Sequence, residues 1–332
     1  MADLVSLDDI RAAASRIAGV ARVTPLIEVR ELQAWGGAPA VPLLLKCENL
    51  QVGGAFKIRG AFNMASSLPE QARRAGLLTY SSGNHGLAMA IAARRLGVPA
   101  VIVMPTTAPA VKADGALSLG AEVLFEGTTT LERKARGEAE AARRGMTIVP
   151  PFDHPNTVAG QGTIGLEILG QCPDVATVYV QIGGGGLISG IATAIKRSRP
   201  SVRVVGVEPV GTARMTASLA AGQPVTIPLT PGIADGLLAV RPGDITFRHV
   251  QAFVDRIVTI DDRAIVAALQ WIFREAKLLA EPSGAITVAA ALADMAAGRL
   301  EASGPVVAVI SGGNVEPAAF RGYLEDGAAA GR

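Results

Sequence analysis

The sequence predicts an α/β protein with open, mostly parallel, twisted sheets flanked by helices. Three observations carry that reading. Short runs of apolar, β-favouring residues recur along the chain. Longer Ala-rich runs of helical length lie between them. Glycine-rich turns stand where a run passes into a helix. At 332 residues the chain exceeds the roughly 250–300 at which a single core stops growing, so two lobes are expected.

The elements follow in order. Ser6 and Asp9 have the form of a capping box, and Gly19 can close the helix that they open. Strands are expected at Leu43–Leu45, Leu77–Tyr80, Val101–Val103 and Glu122–Phe125, then at Val178–Ile182, Val202–Val207 and Val306–Ile310. Each is short and apolar on both faces, as a strand buried in a parallel sheet must be. Helices are expected over Leu87–Leu96, Leu131–Arg144 and Asp261–Lys277. No shift in composition marks a boundary, but the second strand series begins after Pro150–Pro151. The stretch after Val315 is too short for an added regulatory domain.

Composition excludes several classes. Hydrophobic residues at 49% and charged residues at 18% are incompatible with a disordered chain. The 31 basic and 29 acidic residues are interspersed. Their densest cluster, Arg133, Lys134 and Arg136 among Glu132, Glu138 and Glu140, reads as a solvated helix face. With aromatics at only 4%, neither nucleic acid nor a membrane surface is an expected partner. Cys47 and Cys172 form no metal or redox motif, which suits a reducing compartment. MADLVSLDDI lacks the regions of a signal peptide, and no run approaches the ~18 apolar residues of a spanning helix. A cytoplasmic protein is expected.

Four segments carry candidate chemistry. Lys57 is one of six lysines and sits in QVGGAFKIRGAF. Apolar surroundings disfavour the ammonium and free the amine for Schiff-base chemistry; the rival is a lysine that snorkels to solvent. YSSGNHG (Tyr80–Gly86) joins a strand to a helix. Ser81, Ser82 and Asn84, with N–H groups of the helix start, can hold a carboxylate; the rival is an ordinary helix cap. In QIGGGGLISGIA, Gly183–Gly186 stand between a strand and a helix and can turn N–H groups toward a phosphate. A dinucleotide fold is the competitor, with Glu208 as the ribose acid, but Ile188 or Ser189 stands where the third glycine belongs. ISGGN (Ile310–Asn314) ends the last strand, where open α/β sheets place ligands.

Together these motifs resemble the second fold type of pyridoxal phosphate enzymes (tryptophan synthase β-like), most closely the threonine/serine dehydratase and serine racemase family. The resemblance runs from KCENLQ (Lys46–Gln51) through AGQGTIGLE (Ala159–Glu167), IADG (Ile233–Gly236) and LLAEPSGA (Leu278–Ala285) to SGGN. It implies residues 1–50 and 151–332 as a large cofactor-binding domain and 51–150 as a small mobile domain carrying the SSGNHG loop. It implies Lys57 as the Schiff-base lysine, with Phe56 against the cofactor ring and Asn84 on the ring hydroxyl. Gly183, Gly184, Gly185, Gly186 and Leu187 would take the phosphate, and Ser311 would face the ring nitrogen. Ser81, Ser82, Asn84 and His85 would hold the substrate carboxylate. Glu281 falls near the cofactor without an assigned step.

The implied reaction is β-elimination from L-threonine or L-serine to a 2-oxo acid and ammonia, by a homodimer. Racemisation is the alternative, with Ser82 as the second acid/base opposite Lys57. β-Replacement fits less well, since those enzymes carry a different asparagine loop. Two departures stand out. GGAFK replaces the TGSFK common among relatives, so Gly53 and Ala55 lack two hydroxyls. That predicts a roomier pocket suited to a bulkier substrate such as phenylserine; 3-hydroxyaspartate is another candidate. Many relatives also hold a divalent cation near a Glu-Pro element. Here Glu208 and Thr212 would be ligands, but Arg214 occupies the usual third acidic position and argues against a cation.

Overall fold

The computed structural model describes residues 4–29, 41–81, 83–108, 110–228, 230–300 and 303–326. In chain order the strands are β1 (Leu26–Val29), β2 (Leu43–Cys47), β3 (Leu77–Thr79), β4 (Ala100–Met104), β5 (Glu122–Phe125), β6 (Thr147–Ile148), β7 (Thr177–Gln181), β8 (Arg203–Pro209), β9 (Arg256–Ile260) and β10 (Val306–Ile310). The helices are α1 (Leu7–Ile17), α2 (Lys57–Ser66), α3 (Glu70–Ala75), α4 (Asn84–Leu96), α5 (Ala110–Ser118), α6 (Thr130–Arg144), α7 (Pro155–Gln171), α8 (Gly186–Ser198), α9 (Arg214–Ala221), α10 (Asp244–Phe253), α11 (Asp262–Trp271), α12 (Pro282–Ala296) and α13 (Pro317–Asp326).

Two sheets form. The larger has the order β1-β2-β10-β7-β8-β9, the smaller β5-β4-β3-β6. All pairings are parallel except β1 with β2. Helices cover both faces of the large sheet, so its central strands are apolar throughout. Along β10, Val306, Ala308 and Ile310 join the core against α11 and α12. Val307 and Val309 join Ile164, Ile188 and Ile191 of α7 and α8 on the other face. The small sheet repeats the arrangement. Ile102 and Met104 meet Met89 and Ala93 of α4, while Val101 and Val103 meet Ala141 of α6 on the reverse side.

Register places the site. Val306 lies level with both Leu43 and Thr177, so the C-terminal ends of β2, β10 and β7 end side by side. The segments leaving them are those carrying Lys57, ISGGN and the four glycines. They therefore meet at one edge of the large sheet, where open α/β sheets bind ligands.

Helix α2 starts at Lys57 and is tied to the large sheet by buried charge. The Arg59 guanidinium donates to Glu48 at 2.8 Å and to Glu167 at 2.6 and 3.0 Å. Lys46 donates to Glu167 and Gln171 from below. A Cβ at Gly160 of α7 would lie 2.6 Å from the Arg59 carbonyl oxygen, so α2 and α7 touch at backbone distance.

The expected strands and helices are present, with four differences. β1, β6 and β9 were not anticipated. They lie at sheet edges and are two to five residues long with incomplete burial, too little pattern to stand out. The expected Asp261–Lys277 helix ends early: α11 stops at Trp271, a π-helical turn covers Ile272–Ala276, and Lys277 turns left-handed at φ 56°. The Ser6–Asp9 capping box opens α1 as expected.

Candidate active site

The site grows from two loops stitched together by backbone. Phe56 N donates to Ser311 O at 3.0 Å, Gly313 N to Gly54 O at 2.9 Å, and Ala55 bridges Gly312. The GGAFK segment thus lies on the ISGGN turn, and Lys57 emerges at the helix start above it. The Lys57 amine donates to the Pro151 carbonyl at 3.0 Å and lies 5.0 Å from the Phe56 ring centroid. Burial lowers its pKa to about 8, although the charge of Glu281 pulls in the opposite direction. A snorkelling lysine would show no such drop.

Phe152, next to Pro151, carries the contact on to the glycine loop. A Cβ on Gly184 would stand 2.4 Å from the Phe152 ring, and one on Gly186 would stand 2.9 Å from the Phe152 Cβ. Gly185 has φ 97° and forms the N-cap of α8 with no side-chain cap. Only glycine takes this backbone readily, and it leaves the N–H groups of the first turn without a side-chain acceptor. A helix start of this kind can cradle an anion. Thr246 holds it from outside, donating its hydroxyl to Gly184 O at 2.6 Å.

The YSSGNHG segment joins β3 to α4. The helix cap is Gly83, which offers no side-chain bond, so the cap reading of the Ser and Asn residues fails. Asn84 instead reaches across the cleft. Its Nδ2 donates to both oxygens of Glu281, at 2.9 and 3.0 Å, while its Oδ1 accepts from Asn314 Nδ2 at 2.8 Å. Burial raises the Glu281 pKa to about 7. Ser81 lies at the mouth of this loop, partly exposed, and Ser82 lies outside the described residues. The His85 imidazole faces inward: Nε2 donates to Val149 O at 2.9 Å, and burial drops its pKa to about 3. As a neutral ring committed to Val149, it offers a substrate carboxylate no charge. Asn314, Phe152 and Pro151 were not singled out from sequence; only Asn314, at the end of ISGGN, carried a local signal.

The profile of the family described as "Pyridoxal-phosphate dependent enzyme" matches residues 17–312. The chain belongs to this family. This enzyme is 40% identical over 314 residues to the L-threonine ammonia-lyase of Thermotoga maritima, an alignment covering 94% of this chain and 76% of that protein. It is 40% identical over 312 residues to the serine racemase of Oryza sativa subsp. indica, covering 93% and 91%. Maize serine racemase superposes with a TM-score of 0.90 at 37% identity over 99% of both chains.

Pyridoxal phosphate fits the residues present: an enclosed, readily neutralised amine at Lys57 and an uncapped helix start at Gly185–Leu187. The structure alters two expectations. A Cβ on Gly53 would meet Ile91 of α4 at 2.9 Å, so that position faces α4 and enlarges no pocket; Ala55 is buried against Gly312. Glu208 and Thr212 do not open toward a shared ion. Glu208 accepts from Met215 N, Thr216 N and the Thr216 hydroxyl, and Thr212 donates its hydroxyl to Leu237 O. Among the described residues no group of three or more His, Cys, Asp or Glu is placed to hold a metal. The remaining histidines and cysteines are structural: His154 caps α7, His249 accepts from Val5 N, and Cys47 and Cys172 are buried and free.

Proposed function

We propose that this enzyme eliminates water from L-threonine, L-serine or a related small β-hydroxy amino acid and releases a 2-oxo acid and ammonia. The observation that carries the proposal is the buried Lys57 amine, bonded to the Pro151 carbonyl, whose pKa is lowered to about 8 so that an appreciable neutral fraction is present near neutral pH. Pyridoxal phosphate, when bound, supplies the electron sink for the α-carbon. Gly183, Gly184, Gly185, Gly186 and Leu187 would hold its phosphate and Phe56 its ring face.

Lys57 takes the α-proton at Nζ. As an ammonium it returns that proton to the β-oxygen, which leaves as water. The enamine product hydrolyses to the oxo acid and ammonia. Ser81, Ser82, Asn84 and the backbone N–H of His85 orient the substrate carboxylate at the start of α4. Ser311 would offer the ring nitrogen a neutral hydroxyl and so would hold no proton there. That keeps the sink weak, which suits loss of a β-substituent.

The L-threonine ammonia-lyase relative supports this reading. Racemisation is the second reading, supported by the equally similar rice serine racemase and by Ser82 in the sequence. We also propose that residues 51–150 hold the small mobile domain, against 1–50 with 151–332. Its moving part is the small sheet with α4–α6, because α2 is anchored to α7. A cytoplasmic homodimer completes the proposal. No helix among the described residues is long and apolar enough to cross a membrane.

The deciding experiment measures 2-oxobutanoate release from L-threonine with saturating cofactor, with Lys57→Ala as control. Release abolished by the variant supports the lyase. No release, with D-serine formed from L-serine and lost in Ser82→Ala, moves the assignment to the racemase.

A further inference from the structure

The glycine loop is gripped from behind by one buried cation. Arg214, at the start of α9, is fully buried. Its Nη1 donates to Ile182 O at 3.0 Å and Gly183 O at 2.9 Å, and its Nη2 to Leu237 O. Its Nε has no hydrogen-bond partner and lies 4.0 Å from the Glu208 carboxylate. The Thr212 hydroxyl donates to the same Leu237 carbonyl. Three backbone carbonyls and one carboxylate thus converge on a single charge. Two of the carbonyls belong to the loop expected to hold the cofactor phosphate. The third belongs to the segment that packs on it, where Gly236 O lies 3.2 Å from a Cβ built on Gly183.

Carbonyl and carboxylate oxygens are the ligands that a hard divalent cation prefers. Here they are taken. The guanidinium presents planar, permanently charged donors to them, and an ion entering beside it would meet like charge. Glu208 is also engaged, since both its oxygens accept from the first turn of α9.

We infer that Arg214 is the built-in cation of this enzyme. It ties the phosphate loop to the 233–238 segment, so the loop is ordered without any divalent metal, and neither Mg2+ nor a chelator changes it. Arg214 is a positioning residue, because its contacts are to loop carbonyls. The inference rests on the loop as the cofactor cradle and is independent of which amino acid is consumed.

The test uses the holoenzyme and reads melting temperature and pyridoxal phosphate Kd, so its failure is separate from failure of the lyase reading. In the natural protein, MgCl2 or EDTA is expected to change neither quantity. A melting temperature that rises with Mg2+ and falls with EDTA overturns the inference. Arg214→Met removes the charge and is expected to weaken cofactor binding about ten- to a hundredfold, the scale of lost charged hydrogen bonds. Arg214→Lys keeps the charge and is expected to recover part of that loss. A methionine variant that binds the cofactor as tightly as the natural protein overturns the inference, as does a lysine variant no better than methionine. Should neither variant fold, the metal titration of the natural protein still decides.

Discussion

Asn84 and Glu281 are 197 residues apart, and both oxygens of the Glu281 carboxylate accept from the Asn84 amide, at 2.9 and 3.0 Å. The bond links the start of α4, beside the small sheet, to the start of α12, against the large one. Burial holds the Glu281 pKa near 7.

A pH-dependent stability follows. The folded-state pKa of Glu281 lies above the unfolded value of about 4.3, so its favourable contribution is complete below that value and is lost as pH rises through about 7. Glu281→Gln has no charge to bury. The variant is expected to gain roughly 1–3 kcal/mol relative to the natural apoenzyme at pH 8 compared with pH 4. Urea unfolding at the two pH values measures it, and equal differences at both would contradict the assignment.

Lys57 titrates in the opposite sense. Its folded-state pKa of about 8 lies below the unfolded value near 10.4, so its contribution is present above the unfolded value and lost as pH falls through 8. Only the neutral amine attacks an aldehyde. Reconstitution of the apoenzyme with pyridoxal phosphate, followed by absorbance, is therefore expected to accelerate up to about pH 8 and then level. A rate still climbing at pH 10 would mean an ordinary lysine. Lys57→Ala is expected to lose the covalent chromophore and the activity together.

Gly185→Ala tests the anion cradle. A side chain at φ 97° is strained, and its Cβ would stand 2.8 Å from Thr246. Cofactor Kd is expected to rise about tenfold or more, on the scale of 1–2 kcal/mol for left-handed backbone alone. Fluorescence titration measures it; an unchanged Kd would show that the loop tolerates another conformation.

Arg59 tests the anchoring of α2. Its guanidinium is buried between Glu48 and Glu167. Arg59→Met leaves the buried Glu48 without its ion-pair partner and Glu167 with Lys46 alone, and is expected to cost about 3–5 kcal/mol of stability. Denaturant midpoints measure the loss, and a cost below 1 kcal/mol would mean that the pair is dispensable.

Ser311→Asp tests the ring-nitrogen assignment. A carboxylate there would hold a proton that the serine does not. The absorption spectrum of the holoenzyme is expected to shift and elimination to slow. An enzyme with unchanged spectrum and rate would remove Ser311 from the ring nitrogen.

The central strands, the glycine turns and the enclosed lysine were legible in the chain because their signals are local. Val306–Ile310 is apolar on both faces wherever it sits, four successive glycines between a strand and a helix make a flexible turn in any context, and Lys57 stands among apolar neighbours. What lay beyond the chain as read were the pairings. Whether Asn84 would cap α4 or cross to Glu281, and whether His85 would face substrate or Val149, depends on how two sheets are set against each other. Gly53 is open in sequence, yet it faces Ile91 because of the left-handed turn it occupies. Arg214 looked like a lost ligand, and only the approach of three carbonyls from separate segments gives it a task. Periodicity and turn chemistry are properties of neighbours along the chain. Partners for a buried charge are chosen by register and packing, which residues far apart in sequence reach only once the chain has folded.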